Sequence, residues 1–273
     1  MPRRLAVVAG TGALAPQVIE AALAAGDTVC AFVLSPLSLP ASVEQQPVSV
    51  QRSTALFDAI RRFGASHLAL AGAVNLSDAD RRQLLTVLGG AGGQPTGDAA
   101  LSNLAAQLRE LTGAILLGPH EVAPELLAPA GRIAGPLATK LQLAAAPLAL
   151  SAARQIGAMD LGQAAVVAGA RVVAAEDVAG TDDLLARVAR YRAAGLIADA
   201  DEVPLVLGKA CKPQQPLFVD LPAIGPETVA GAKRAGISAI VVEAGRTLLL
   251  ARPELVAAAD DAGIAIVGLA VDG

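Results

Sequence analysis

Apolar and polar positions follow two rhythms along this chain. "RLAVVAG" is a short Val-rich apolar run closed by Gly10-Thr11-Gly12, and "LAPQVIEAALAAG" then places apolar residues at helical spacing as far as Gly26. That pattern predicts strand, tight turn and helix. "DTVCAFVLS" predicts a second strand, "STALFDAIRRFGA" a helix and "HLALAGAV" a third strand. "DADRRQLLTVLGG" and "ALSNLAAQLRELTG" predict two more helices, and "AILLGPHEV" another strand. Such alternation of β and α belongs to an open parallel sheet, so the first half is expected to be Rossmann-like.

The rhythm pauses at "APELLAPAGRIAGPLATK", where prolines and glycines crowd together. This places a domain boundary near residue 134, separating a Rossmann-like domain, 1–134, from a second mixed α/β domain, 135–273. In the second part "AAPLALSAARQIGA" is helical, "AAVVAGARVVAAED" reads as a hairpin around Gly169, and "GTDDLLARVARYRAAG" as a helix capped by Thr181 or Asp182. "VPLVLGK", "PETVAGAKRAG", "ISAIVVEAG", "TLLLARPELVAAADDAG" and "IAIVGLA" continue the alternation. The overall class is α/β with two domains.

Composition narrows the function classes. Hydrophobic residues make up 54% of the 273 positions while aromatics are only 2%, and no apolar run is long enough to span a bilayer. The longest, "LQLAAAPLALSAA", is expected to be a core helix, with a membrane-surface contact as the alternative. A net charge of -4 supplies no global basic field, so nucleic acid is not an expected partner. Cys30 and Cys211 form neither a CxxC pair nor a disulfide framework and suit a reducing cytoplasm. The opening "MPRRLAVVAG" is short and broken by glycine, and reads as a first strand rather than a signal peptide.

"GTGALA", residues 10 to 15, follows a strand and opens a helix, where backbone N–H groups can hold a phosphate. A dinucleotide site would also want an acid at the end of the second strand, and "VLSP" has none. NAD(P) is therefore disfavoured. Gly10 and Gly12 stay candidates for substrate binding beside the plainer reading of a tight turn. His120 and Glu121 in "GPHEV" would point to opposite faces of a strand and could not grip one metal together.

The second half holds the stronger chemistry. In "GKACKPQQPLFVDLPAIGPET" Lys209 and Lys212 are point charges suited to phosphate, and Asp220 is a hard oxygen ligand suited to Mg²⁺ or Mn²⁺. Together these residues would serve metal-assisted attack of water on phosphorus. A solvated proline-rich loop is the alternative from composition alone.

The order of motifs resembles the UDP-2,3-diacylglucosamine pyrophosphatase family of lipid A biosynthesis. The likeness covers nearly the whole chain: "AGTGALAP", "GDAAL", "GPHEVAPELLAPAGRIA", "DLGQAAVV", "GTDDLLARVA", "GKACKPQQPLFVDLPAIGPETV" and "VVEAGRTLLLARPELVAAADDAGIAIVG". It implies a lipid substrate in a cleft between the two domains, a catalytic C-terminal domain, and a divalent cation, Mg²⁺ or Mn²⁺, assisting hydrolysis to UMP and 2,3-diacylglucosamine 1-phosphate. Carried over by motif, Asp220 is catalytic and holds the metal, with Lys209 and Lys212 also catalytic. Gly10, Gly12, Gln163, Gly180, Thr181 and Asp182 would bind substrate. Ala179, Ala99 and Phe218 depart from the family's usual acid, acid and arginine, which makes a non-catalytic binder of a lipid or nucleotide-sugar the second reading. The resemblance implies a cytoplasmic protein, peripheral to the inner membrane, and the apolar surface leaves a homodimer open as well.

Overall fold

A computed structural model describes residues 2–49, 52–73, 107–197, 203–213, 217 and 221–270. Asp220, Phe218, Ala99 and the helix expected over residues 78–90 lie outside the described residues, and the helix expected over 100–113 is described only from residue 107, with 107–112 helical. The chain divides into two compact units, with Glu125 closing the long segment of the first and Leu126 opening the second. That division falls within the Pro/Gly-rich stretch but ahead of the boundary expected near residue 134, because the strand between the two pairs in the second sheet.

The first unit is built on β1 (Arg4–Ala9), α1 (Leu14–Ala24), β2 (Thr28–Val33), β3 (Glu44–Pro47), α2 (Ser53–Phe63), β4 (His67–Ala71) and β5 (Ile115–Leu117). Its five strands run in the order β3-β2-β1-β4-β5, and every pairing is parallel. This is the expected Rossmann-like layer. The central strands are buried and uniformly apolar, as a sheet with both faces covered requires, and Phe32, Leu5, Ile19, Ile60 and Leu68 are fully enclosed. β3 has no apolar signal: its "EQQP" is half-buried at best and ends in Pro47, which an edge strand tolerates. The run "AILLGPHEV" is not one strand. It holds β5 and then a one-turn helix, α3 (Pro119–Val122), because Pro119 takes the first helical position and Glu121 accepts from the Gly118 N–H at 2.7 Å.

The second unit contains β6 (Gly131–Ala134), α4 (Lys140–Ala158), β7 (Ala164–Ala168), β8 (Arg171–Ala175), α5 (Gly180–Ala193), β9 (Leu205–Lys209), β10 (Ala223–Ile224), α6 (Pro226–Ala235), β11 (Ala239–Glu243), β12 (Leu248–Leu249), α7 (Arg252–Ala262) and β13 (Ala265–Leu269). Six strands form a mixed sheet in the order β6-β13-β11-β9-β7-β8, and β7 and β8 are the hairpin expected around Gly169. Alternate residues serve opposite faces. Val166, Leu205, Leu207, Ile240 and Val242 pack with Leu184, Leu185, Val229 and Leu255 of α5, α6 and α7. Val167, Val206 and Val241 pack with Ala145, Ala149, Leu150 and Ala153 of α4 on the other.

α4 is the core helix expected from "LQLAAAPLALSAA", with Thr139 capping it by accepting from the Gln142 N–H at 3.2 Å. It lies so close to the sheet that a Cβ on Gly208 would come within 2.4 Å of the Ala149 carbonyl carbon. Glycine is required there for backbone approach. Its outer face keeps Leu137, Leu141 and Leu143 exposed at 80, 66 and 46% along its first turns and just before them. No helix among the described residues is long and apolar enough to cross a membrane.

Candidate active site

The register of the second sheet brings its polar residues to one edge. β9 ends at Lys209, β11 ends at Glu243, and β7, running the other way, begins beside them with Ala164 opposite Lys209. β8 delivers Glu176 to the same edge, just past its last residue. The carboxyl ends of strands in an open α/β sheet are where ligands bind, because side chains can leave the sheet there without entering the core.

Lys209 is 7% exposed and Glu176 is 8% exposed. Polar groups buried this deeply need hydrogen-bond partners. The Lys209 ammonium donates to Thr181 Oγ1 at 3.0 Å and to the Ala223 carbonyl at 3.0 Å, while the Thr181 hydroxyl donates to Glu176 Oε2 at 3.0 Å. An ammonium cannot accept, so the direction of both bonds at Thr181 is determined. The threonine thus couples a buried cation to a buried carboxylate.

This corrects the capping role expected for Thr181 or Asp182. Ala179 occupies the cap position of α5 with no side-chain bond, and Asp177 Oδ1 takes the Ala179 N–H at 2.9 Å. Thr181 is drawn instead to the buried pair. Gly180 opens the helix with φ +84°, and Asp182 is exposed in its first turn. Arg187 pairs with Asp177 at 3.0 Å and Asp183 at 2.8 Å, which ties this turn down from its outer side.

Lys212 lies two residues past Ala210 in the loop after β9 and pairs with Asp160 at 2.6 Å. Asp160 itself has φ +56°, a left-handed conformation in which Asp is among the tolerated residues. Between the two lysines, the Cys211 N–H donates to Glu243 Oε2 at 3.0 Å, and Arg154 of α4 donates through Nε to Glu243 Oε1. Glu243 is 1% exposed. Gln163 accepts the Ala210 N–H on its main-chain oxygen at 3.0 Å, and its buried side-chain Oε1 has no hydrogen-bond partner among the described residues.

The structure therefore assembles Lys209, Thr181, Gly180, Gln163 and Lys212 at one edge, with Asp182 beside them on the surface. Gly10 and Gly12 belong to the first unit, and each has a backbone reason to be glycine. A Cβ on Gly10 would lie 2.3 Å from the Ala73 oxygen, and Gly12 has φ +94°. His120 and Glu121, expected on a strand, sit in α3, where Glu121 is a cap and His120 Nδ1 is buried without a partner among the described residues.

Glu176, Glu243 and Arg154 are the polar residues whose part in this edge the spacing of motifs did not disclose. Each carries a local signal nevertheless: Glu243 ends the otherwise apolar "AIVVE", and Arg154 is isolated among alanines and leucines in α4. As to metals, no cluster of three or more His, Cys, Asp or Glu side chains able to hold an ion occurs among the described residues. Glu243 has both oxygens engaged by Arg154 and Cys211. Asp220 lies outside the described residues.

Comparison with known proteins adds to this geometry. The LpxI N-terminal domain matches residues 4–126 and the LpxI C-terminal domain matches residues 129–267. The UDP-2,3-diacylglucosamine pyrophosphatase LpxI of Caulobacter vibrioides is 36% identical over 275 residues, covering 98% of each chain. Among solved structures, a putative epimerase from Burkholderia cenocepacia J2315 is 18% identical, covers 99% of this chain and 84% of its own, and has a TM-score of 0.35. UDP-glucose 4-epimerase of Thermus thermophilus in complex with NAD is 17% identical, with 50% and 41% covered and a TM-score of 0.29. At those scores the structural likenesses carry no weight. The two domain matches in tandem and the full-length identity carry the conclusion: this chain belongs to the LpxI family.

Proposed function

We infer that the chain hydrolyses UDP-2,3-diacylglucosamine to UMP and 2,3-diacylglucosamine 1-phosphate in lipid A biosynthesis. The observation that carries this reading is the 36% identity over 98% of both chains with a protein of that activity. Water adds to the α-phosphorus as the bond from that phosphorus to the bridging oxygen breaks, so UMP takes the hydroxyl and the acylated sugar leaves as its 1-phosphate.

The described residues suit the electrostatic part of this chemistry. Phosphorus substitution needs cations fixed where charge develops, and Lys209 is fixed by Thr181 and the Ala223 carbonyl. Glu176 accepts from the Thr181 hydroxyl and so orients the oxygen that receives the lysine. Lys212 reaches substrate by exchanging its Asp160 partner for phosphate oxygen. Gln163, with its buried unpaired oxygen, is positioned to accept from a sugar hydroxyl.

Mg²⁺ or Mn²⁺ is part of the proposal, with Asp220 as its ligand. Magnesium commonly takes one or two carboxylates and completes its shell with water and substrate phosphate, so a described residue set without a carboxylate cluster is compatible with it. Bound there, such an ion would polarise a phosphoryl oxygen and acidify water. The reading places the protein in the cytoplasm against the inner-membrane surface, since the substrate is an amphiphile. The exposed row Leu137, Leu141 and Leu143 suits that surface or a second copy of the chain equally.

The test is release of UMP from UDP-2,3-diacylglucosamine by the purified protein with Mg²⁺ or Mn²⁺. Release that EDTA or Asp220→Ala abolishes is the expected result; no release at high enzyme concentration sinks the proposal.

A further inference from the structure

Arg154 and Glu243 form the most buried ion pair of the second unit among the described residues, and their bonding is lopsided. Glu243 uses both oxygens, one on Arg154 Nε and one on the Cys211 N–H. Arg154 uses only Nε. Its two terminal nitrogens have no hydrogen-bond partner among the described residues, and its side chain is 31% exposed. A guanidinium held by Nε against a buried carboxylate has its plane set, and its outer fork of N–H groups is left for something else.

The carboxylate that holds Arg154 also holds the amide of Cys211, and Cys211 stands between Lys209 and Lys212. One buried group thereby sets the position of a planar cation and of the loop that joins Lys209, at the end of β9, to Lys212. Neutralising Glu243 alone does not account for the arrangement, since an apolar pair of similar volume would fill the space at no electrostatic cost. A second, independent feature points to a ligand: Gln163 Oε1 is buried and unpaired, one strand end away, where its main chain bonds Ala210. Buried acceptors left open are rare in folded proteins, and a ligand donor is a ready explanation.

We propose that Arg154 contacts the diphosphate of the substrate as a further catalytic residue, and that Glu243 is its positioning residue. This rests on the pyrophosphatase reading above. The fork of Arg154 donates two parallel bonds to non-bridging phosphate oxygens, and these bonds strengthen as negative charge builds on them during P–O cleavage. Glu243 keeps the fork facing outward and keeps the Lys209–Lys212 loop in register with it.

The experiment compares the wild-type chain with Arg154→Lys, with Glu243→Gln and with the double variant Arg154→Met/Glu243→Gln. The double variant removes both charges together, so no buried ion is left unmatched and the fold is preserved. Melting temperature and circular dichroism verify folding. Arg154→Lys and the double variant are expected to lose about a hundredfold in kcat for UMP release, as for other fixed donors to a developing oxyanion. Glu243→Gln keeps an oxygen for Cys211 and loses about tenfold in kcat with KM little changed, because the fork is loosened rather than removed. A further variant, Arg154→Ala, keeps Glu243 and leaves the space of the side chain open, so guanidinium ion added to it restores UMP release and does nothing for the wild type.

A double variant that is folded and as active as the wild type overturns the proposal, and so does a loss in Arg154→Ala that guanidinium fails to restore. If the wild type itself releases no UMP, the pyrophosphatase reading fails separately. Binding of inorganic pyrophosphate, measured by calorimetry, then decides: a wild type that binds about tenfold more tightly than the double variant supports the contact. Equal binding overturns it.

Discussion

Two turns in this molecule are nearly the same in letters. Gly10-Thr11-Gly12 leads into α1 and Gly180-Thr181-Asp182 opens α5, and each contains a glycine in the left-handed region, at φ +94° and +84°. Their threonines do different work. Thr11 is exposed; its N–H, C=O and hydroxyl all bond to Ala73, at 2.8, 2.9 and 3.2 Å, which stitches the turn after β1 to the turn after β4. Thr181 bridges Lys209 to Glu176, two groups that burial would otherwise destabilise as ions. The glycine-threonine turn is a backbone device in both units, and chemistry appears where a buried charge is placed against it.

The sharpest way to break this comparison is at the charge. Lys209→Met should lower UMP release by about a hundredfold or more, the magnitude expected for losing a fixed donor to a developing oxyanion. Steady-state kinetics on folded protein would measure it, and an unchanged rate would mean that the coupling at Thr181 is only structural. Next come the backbone contacts. Gly208→Ala forces a methyl to within 2.4 Å of the Ala149 carbonyl carbon, and Gly10→Ala to within 2.3 Å of the Ala73 oxygen. Each should cost about 1–3 kcal/mol in denaturant melts.

Thr181→Val should cost about 1–3 kcal/mol, because it leaves buried polar groups short of a partner, while Thr11→Val at an exposed position should stay within about 0.5 kcal/mol. Equal effects would erase the distinction between the turns. The smallest effect is a pH dependence in the first unit. Burial by itself would raise the Asp27 carboxyl, but its side-chain and backbone bonds from Arg3, at 2.8 and 2.9 Å, outweigh that and hold it below its ordinary 3.8. Its contribution is therefore complete above that value and is lost as pH falls below it. Arg3→Gln should flatten the acid limb of the stability curve. At the opposite end, burial first and Glu44 second push the Cys30 thiol to about 12, so thiol alkylation of the native protein should stay slow up to strongly alkaline pH.

Much of the fold was legible because the apolar pattern repeats. β1, β2 and β4 are buried on both faces, so they stand out as continuous runs, and β7 and β8 are separated by a glycine at φ +55° that turns the hairpin. β3, β10 and β12 were not legible. Strands of four, two and two residues make too few side-chain contacts to impose a pattern, and β3 is an edge. α3 was hidden by the apolar run that precedes it. The candidate site was legible in part: Lys209, Lys212, Gln163 and Thr181 follow from motif order, whereas Glu176 looks like a strand end and Arg154 like a surface arginine on a helix.

The amino-acid sequence by itself determined the two-part α/β plan, the glycine turns and the residue types available for phosphate chemistry. These follow from local sterics and from periodicities of two and about 3.6 that any reader of the chain can count. Tertiary structure alone decided which charges meet. Thr181 reaches Lys209 across 28 positions, carrying Glu176 with it, and Arg154 reaches Glu243 across 89. Separations of that size are closed only when sheet register brings strand ends together, and burial then requires that the polar groups meeting there find one another.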